Sequence, residues 1–190
     1  MRKLIESTFV TLGGDISAPQ DWGPPHLSGP ELDTALRDLL LGADALLLGR
    51  KTYEGLSAGY LAMAAAEPGR TDDFIATMNA IPKYVASTTL TKVGWNATLL
   101  GADVAGEVAA LKQQPGKYIL KYGTGPLDLT LVSHGLVDEF RIWIIPVTTG
   151  GSQRLFEDVP GTSLALAGMQ TFSTGVVLLT YRPAESVSGD

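Results

Sequence analysis

No cysteine occurs anywhere in this chain. Disulfides, thiolate nucleophiles and cysteine-ligated zinc are therefore excluded. Histidine is nearly as scarce: His26 and His134 are the two present, and they lie too far apart in sequence to suggest a metal site. Basic residues are in the minority, 14 Lys and Arg against 20 Asp and Glu for a net charge of -6. They form no basic face, so nucleic acid is not an expected partner. No apolar run approaches the ~20 residues of a membrane span. Met1-Arg2-Lys3-Leu4-Ile5-Glu6 lacks the apolar stretch of a secretory signal, so a cytoplasmic location is expected. What remains is ordinary globular material, with 45% hydrophobic and 18% charged residues over 190 positions. That is enough for one full core, placed here over residues 1–183, with 184–190 expected to form a disordered tail.

The most informative stretch is Ala43-Asp-Ala-Leu-Leu-Leu-Gly-Arg-Lys-Thr-Tyr-Glu-Gly-Leu56. Leu46, Leu47 and Leu48 in succession suit a strand covered on both faces, as in the middle of an α/β sheet. The run stops at Gly49, which lets backbone approach a ligand closely, and Thr52 is a candidate cap for the helix that follows. Arg50 and Lys51 add positive charge to that helix start, so an anion, a phosphate above all, is the expected occupant. The plainer alternative is a capped helix with solvated cations.

Along the chain, Leu4 to Leu12 reads as a first strand broken at Gly13-Gly14-Asp15. The loop from Asp15 to Leu27 carries Trp22, either as part of a flap over a pocket or as a plug for the core. Ser28-Gly29-Pro30-Glu31 has capping-box spacing, and Leu32, Leu36, Leu39 and Leu40 line one helix face. Residues 57–70, rich in Ala and Gly, read as an insertion ahead of a short helix near Asp72 to Asn79. Lys83 to Ser87 forms a strand ending in the hydroxyls Ser87, Thr88 and Thr89, which suit phosphate or ribose oxygens, or else close a turn. Asn96 to Leu100, Val104 to Gln113 and Lys117 to Tyr122 read as strand, helix and strand. Gly123-Thr124-Gly125 then repeats the strand, glycine, helix order seen at Gly49. Neither bend matches Gly-x-Gly-x-x-Gly or the loop ending Gly-Lys-Ser/Thr. Phe140 to Ile145, and Ser163 to Phe172 turning into Val176 to Tyr181, complete eight candidate strands. Early alternation with helices and a closing hairpin predict an α/β fold. Its sheet is mixed and mostly parallel, with helices on both faces and an antiparallel C-terminal edge. Trp143 and Phe172 suit either a subunit interface or the core.

Five segments, in this order and spacing, resemble the dihydrofolate reductase-like fold. They are Thr11 to Ile16, Ala43 to Tyr53, Pro82 to Ser87, Gly123 to Leu127, and Gly135 through Pro146. They are most similar to the C-terminal reductase domain of the bifunctional riboflavin-biosynthesis deaminase/reductase and its free-standing bacterial relatives. The resemblance implies a three-layer α/β/α homodimer and an NADPH-dependent reductase, with the cofactor across the carboxyl ends of the sheet. It puts Gly49, Arg50, Lys51 and Thr52 near the cofactor phosphates, Ser87 and Thr88 on the 2′-phosphate side, and Gly123, Thr124 and Gly125 under the pyrophosphate. Asp15 and Trp22 fall on the loop bordering nicotinamide and substrate. Two positions depart from the pattern. Gly13 stands where the family commonly has the acid of Ser-Leu-Asp-Gly, and Leu27 stands where dihydrofolate reductase itself carries an acid after the tryptophan. Glu31 or Asp33 is the candidate replacement, against the simpler reading of first-turn acids favoured by the helix dipole.

Two functions follow as expectations. One is hydride transfer from NADPH to a small heterocycle, pteridine-like or pyrimidine-like, with a water ordered by Asp15 or Glu31 supplying the proton. The other is a nucleotide-binding sensor or scaffold that keeps the cofactor cleft without turnover.

Overall fold

The computed structural model describes residues 1–66 and 73–184. The elements run β1 (Lys3–Thr11), α1 (Pro19–Trp22), α2 (Pro30–Leu41), β2 (Ala45–Gly49), α3 (Arg50–Ala66), α4 (Asp73–Ala80) and β3 (Lys83–Ala86). There follow β4 (Ala97–Leu99), α5 (Val104–Gln113), β5 (Tyr118–Tyr122), α6 (Pro126–Ser133), β6 (Glu139–Ile145), β7 (Leu164–Thr171) and β8 (Val177–Pro183). All eight strands join one sheet in the order β4-β3-β2-β5-β1-β6-β8-β7. Pairing is parallel from β4 across to β6, and β8 is antiparallel to both its neighbours. This is the mixed sheet with a closing hairpin that the strand pattern predicts.

Strand β2 explains the layering. Its side chains alternate between faces, and both faces are apolar, so each must be covered. Leu46 and Leu48 enter a cluster with Leu32, Leu39 and Leu40 of α2, Tyr53 of α3 and Met78 of α4. Ala45 and Leu47 enter a second cluster with Val108 and Leu111 of α5 and Leu131 of α6. Helices thus cover both sides of the sheet. None of them, among the described residues, is long and apolar enough to cross a membrane.

Buried cations fasten the end of the sheet where the parallel strands begin. Arg2 donates through Nε and Nη2 to Leu111 O at 3.1 and 2.9 Å and through Nη1 to Asp44 Oδ1 at 3.0 Å. Lys112 donates to Leu136 O and pairs with Asp138, both at 2.6 Å. Lys83 donates to Ile81 O at 2.7 Å and sits 4.1 Å from the centre of the Trp95 ring. Burial holds its ammonium down at about 8. Each cation meets carbonyls, a carboxylate or an aromatic face, which is what makes burying it tolerable.

Several local expectations are revised. α3 continues through residues 57–66, so the Ala- and Gly-rich stretch is helix rather than insertion there; residues 67–72 lie outside the described residues. Thr52 does not cap α3, because the helix starts at Arg50 straight out of β2 and Thr52 lies inside its first turn. α2 is capped by Gly29, whose N–H reaches Asp33 Oδ2 at 3.4 Å, and no side chain of Ser28 takes part. Trp143 is 1% exposed, donates to Ser7 Oγ at 2.9 Å and stacks on Phe172, so that pair belongs to the core. Of the tail, Ala184 bonds back to Ser163 O, and residues 185–190 lie outside the described residues.

Candidate functional site

The carboxyl ends of the parallel strands form one rim, and its centre is the contact between β2 and β5. Leu47 pairs with Lys121, so two residues further on Gly49 and Gly123 emerge abreast. The two bends lie side by side, and a Cβ built on Gly123 would lie 3.3 Å from Thr52 Oγ1. Gly123 has φ +70°, a conformation that a side chain would strain. A Cβ on Gly49 or Gly125 would project into open space. On the other side of β2, Gly49 pairs with Ala86, which brings Ser87 to the same rim.

The two bends differ in their free donors. Gly123 N–H donates to Ser7 O at 3.0 Å and Gly125 N–H to Asp128 Oδ2 at 2.6 Å. Two amides expected beneath a pyrophosphate are therefore engaged inside the chain. What that bend offers is Thr124, whose buried Oγ1 has no hydrogen-bond partner. The first-turn amides of α3 have no acceptor within their own helix, and the helix dipole adds positive potential there. Arg50 is exposed and pairs with Glu54 at 3.1 Å, while Lys51 is exposed beside it. Ser87 Oγ accepts from Thr89 N and Leu90 N at 3.2 and 3.0 Å, so its hydroxyl closes a turn; Thr88 is exposed.

The three side chains expected at the substrate end are not brought together as one group. Asp15 is buried and accepts from Ser17 N at 3.0 Å, Ser17 Oγ at 2.7 Å and Thr149 Oγ1 at 2.5 Å. Those hydrogen bonds, Thr149's foremost, hold its carboxyl below the usual carboxylate range, with Arg154 adding to the effect. Gly151 lies against the same carboxylate so closely that a Cβ there would overlap it. Asp15 thus ties the loop after β1 to the loop after β6 as an ionised acceptor. Trp22 is buried in the α2 cluster and donates from Nε1 to Ser17 O at 2.7 Å, which makes it a plug for the core. Glu31 is exposed in the first turn of α2.

Beneath the Gly123 bend lies a polar cluster that sequence reasoning missed. Glu6 of β1, Lys121 of β5 and Asp128 of α6 are 0%, 2% and 0% exposed. Lys121 Nζ lies 2.7 and 2.9 Å from the two Asp128 oxygens, donates to Gly123 O, and stands 3.9 Å from Glu6 Oε2. Both oxygens of Glu6 lack a donor, and no suitably aligned donor reaches Asp128 Oδ1. Burial pushes the Glu6 carboxyl well above its ordinary value; Lys121 opposes that rise, while the neighbouring Asp128 carboxylate adds to it. A signal was available: Lys121 interrupts Tyr-Ile-Leu-Lys-Tyr, and Glu6 follows Lys-Leu-Ile, both in strands the pattern places inside the sheet.

A separate apolar cavity of about 300 Å³ opens on the α5 and α6 side of the sheet, lined by Val10, Ile142, Ile144, Phe156, Leu164 and Tyr181 among others. No residue of the two bends borders it.

Residues 2–178 match the family described as RibD C-terminal domain. The uncharacterized protein YyaP of Bacillus subtilis is 34% identical over 184 residues, which is 95% of this chain and 94% of that protein. A Shewanella sp. PV-4 protein, provisionally described as a riboflavin biosynthesis protein, has a crystal structure with TM-score 0.73 at 20% identity, matching 96% of this chain and 99% of that one. Dihydrofolate reductase from Enterococcus faecalis, solved with NADP(H) and RAB-propyl, matches 96% of this chain and 97% of its own at TM-score 0.62 and 14% identity. At these identities the two structures speak for the fold.

Proposed function

The chain belongs to the RibD C-terminal domain family, and from that premise we propose that it is an NADPH-dependent reductase acting on a pteridine-like or pyrimidine-like heterocycle. The observation that carries this reading is the side-by-side placement of the two bends across β2 and β5. A diphosphate can span them. The residues present fit such a group: the first turn of α3 supplies amides and dipole, Thr52 and Thr124 supply hydroxyls, and Lys51 supplies charge. The orphaned Thr124 Oγ1 is the kind of buried hydroxyl that a ligand oxygen would satisfy. Arg50 joins them by exchanging Glu54 for a phosphate, and Ser87 with Thr88 borders the adenosine side.

When bound, the cofactor supplies the hydride, and the chain's own contribution is position and exclusion of water. Asp15 holds the loops after β1 and β6 together beside the substrate end. Because it stays ionised, the proton comes from solvent rather than from its carboxyl. The working form we propose is a homodimer. The uncharged edge strand β7, which exposes Leu166 and Met169, is a surface open to pairing, and sedimentation of the purified protein checks it.

Titration with NADPH, followed at the nicotinamide band while heterocycles are added, tests the activity. The expected result is binding followed by oxidation with a pteridine or pyrimidine. Absence of NADPH binding overturns the reading. Binding without oxidation across the panel favours the sensor alternative, for which the engaged carboxyl of Asp15 and the exposure of Glu31 speak.

A further inference from the structure

We propose that Glu6, Lys121 and Asp128 form a single proton-sharing unit that positions the Gly123–Gly125 bend, with one proton on Glu6 keeping the unit neutral beneath a bound anion. The inference rests on the reading of that bend as a phosphate site.

One missing hydrogen would join two of the orphaned atoms. Glu6 Oε1 and Oε2 have no hydrogen-bond partner and Asp128 Oδ1 has only the poorly aligned Lys121 ammonium, and the two carboxyl groups flank that same ammonium at 3.9 and 2.7 Å. Two ionised carboxylates cannot hydrogen-bond to each other, whereas a protonated Glu6 can donate to Asp128 and so give each carboxyl group one partner. The charges agree. Two carboxylates and one ammonium in a water-free site sum to a net negative charge, and a single proton brings that sum to zero. The groups facing Glu6 from its neighbours are Lys121 from β5, Asp128 from α6 and, in register on β6, the uncharged Phe140. The unit grips the bend at two points, Lys121 donating to Gly123 O and Asp128 accepting from Gly125 N–H. Neither grip touches Thr124 between them, which leaves its hydroxyl for a ligand.

Ionising Glu6 would place an unbalanced negative charge directly under an anion. Anion binding therefore favours the protonated state, and wherever Glu6 is ionised, binding takes up one proton from solvent. The sign for stability is the same. A carboxyl that holds its proton more tightly when folded contributes most below its ordinary value of 4.5, and that contribution is lost as pH rises through the folded value.

The test compares the full chain with Glu6→Gln, which keeps the shape and the neutral charge. Urea unfolding from about pH 5 to about pH 9 should show the wild type losing stability relative to the variant as pH rises. Isotope-edited infrared spectra should show a protonated carboxyl band at neutral pH that Glu6→Gln removes. NADPH affinity of the wild type should fall about tenfold over the same interval, against less than about twofold for Glu6→Gln. Parallel stability curves or a missing carboxyl band overturn the proton on Glu6. Equal pH dependence of NADPH affinity overturns the link to the bend. If the wild type binds NADPH at no pH, the cofactor reading falls instead, and the unfolding and infrared results still decide the proton.

Discussion

The two ends of the sheet bury charge in opposite ways. Where the parallel strands begin, Arg2, Lys112 and Lys83 are each received by carbonyl oxygens, a carboxylate or a ring. Where they finish, the excess is anionic, with Glu6 and Asp128 sharing Lys121 and keeping oxygens without donors. The first arrangement fastens α5 and the segments before β2 and β6 to the sheet. The second leaves polar groups unanswered below a bend that is open above. Complete satisfaction marks a part of the molecule that only has to stay folded, while incomplete satisfaction marks one whose state depends on what arrives there.

The contrast can be attacked from both ends. Lys121→Met should have the largest effect, about 3–5 kcal/mol lost in urea unfolding, because it strands Asp128 and frees the Gly123 carbonyl. It should also weaken NADPH binding. Arg2→Met should cost about 2–3 kcal/mol through lost bonds to Leu111 and Asp44 while leaving NADPH affinity unchanged. A loss of affinity there would erase the proposed division of labour. A pair of glycines sharpens it. Gly116 has φ +150° and a Cβ there would overlap Asp44 Oδ2, so Gly116→Ala should cost about 1–3 kcal/mol and spare binding. Gly49→Ala should cost less than about 1 kcal/mol yet reduce NADPH affinity roughly tenfold, since its methyl enters the rim. Arg50→Ala should weaken NADPH about fivefold and NADH less than about twofold by direct titration; equal losses would place Arg50 away from the 2′-phosphate. The effect at Lys83 is confined to alkaline pH. Its ammonium sits at about 8 against the ordinary 10.5, so the unfolded chain binds more protons between those values and stability rises with pH across that window. Lys83→Met should lack that rise in unfolding curves.

The eight strands and the two bends were legible because they depend on local signals. These are apolar alternation, the Leu46 to Leu48 run and a glycine at each strand end. The side-by-side placement of Gly49 and Gly123 also agrees with a parallel sheet in which β2 meets β5. What the glycine pattern hid was the fate of the amides. Gly123 donates to Ser7 and Gly125 to Asp128, and the first of these is a partnership across more than a hundred residues that no local motif encodes. The same distance concealed Asp15, whose partners Thr149 and Gly151 come from the far side of the chain. Trp22 was readable as flap or plug because both need a large apolar residue in a loop; only packing against the α2 cluster decides it. Thr52 was misplaced by three residues for a simpler reason. β2 enters α3 without a connecting turn, so there is no position left for a cap.

Strand β1 lies between β5 and β6, which fixes an order of events during synthesis. Once made, this strand must wait for more than a hundred further residues before either of its partners exists. Until then Glu6 faces water and is ionised like any other acid. It sheds that charge when β5 and α6 close around it, so that closing step should run faster in mild acid than in alkali.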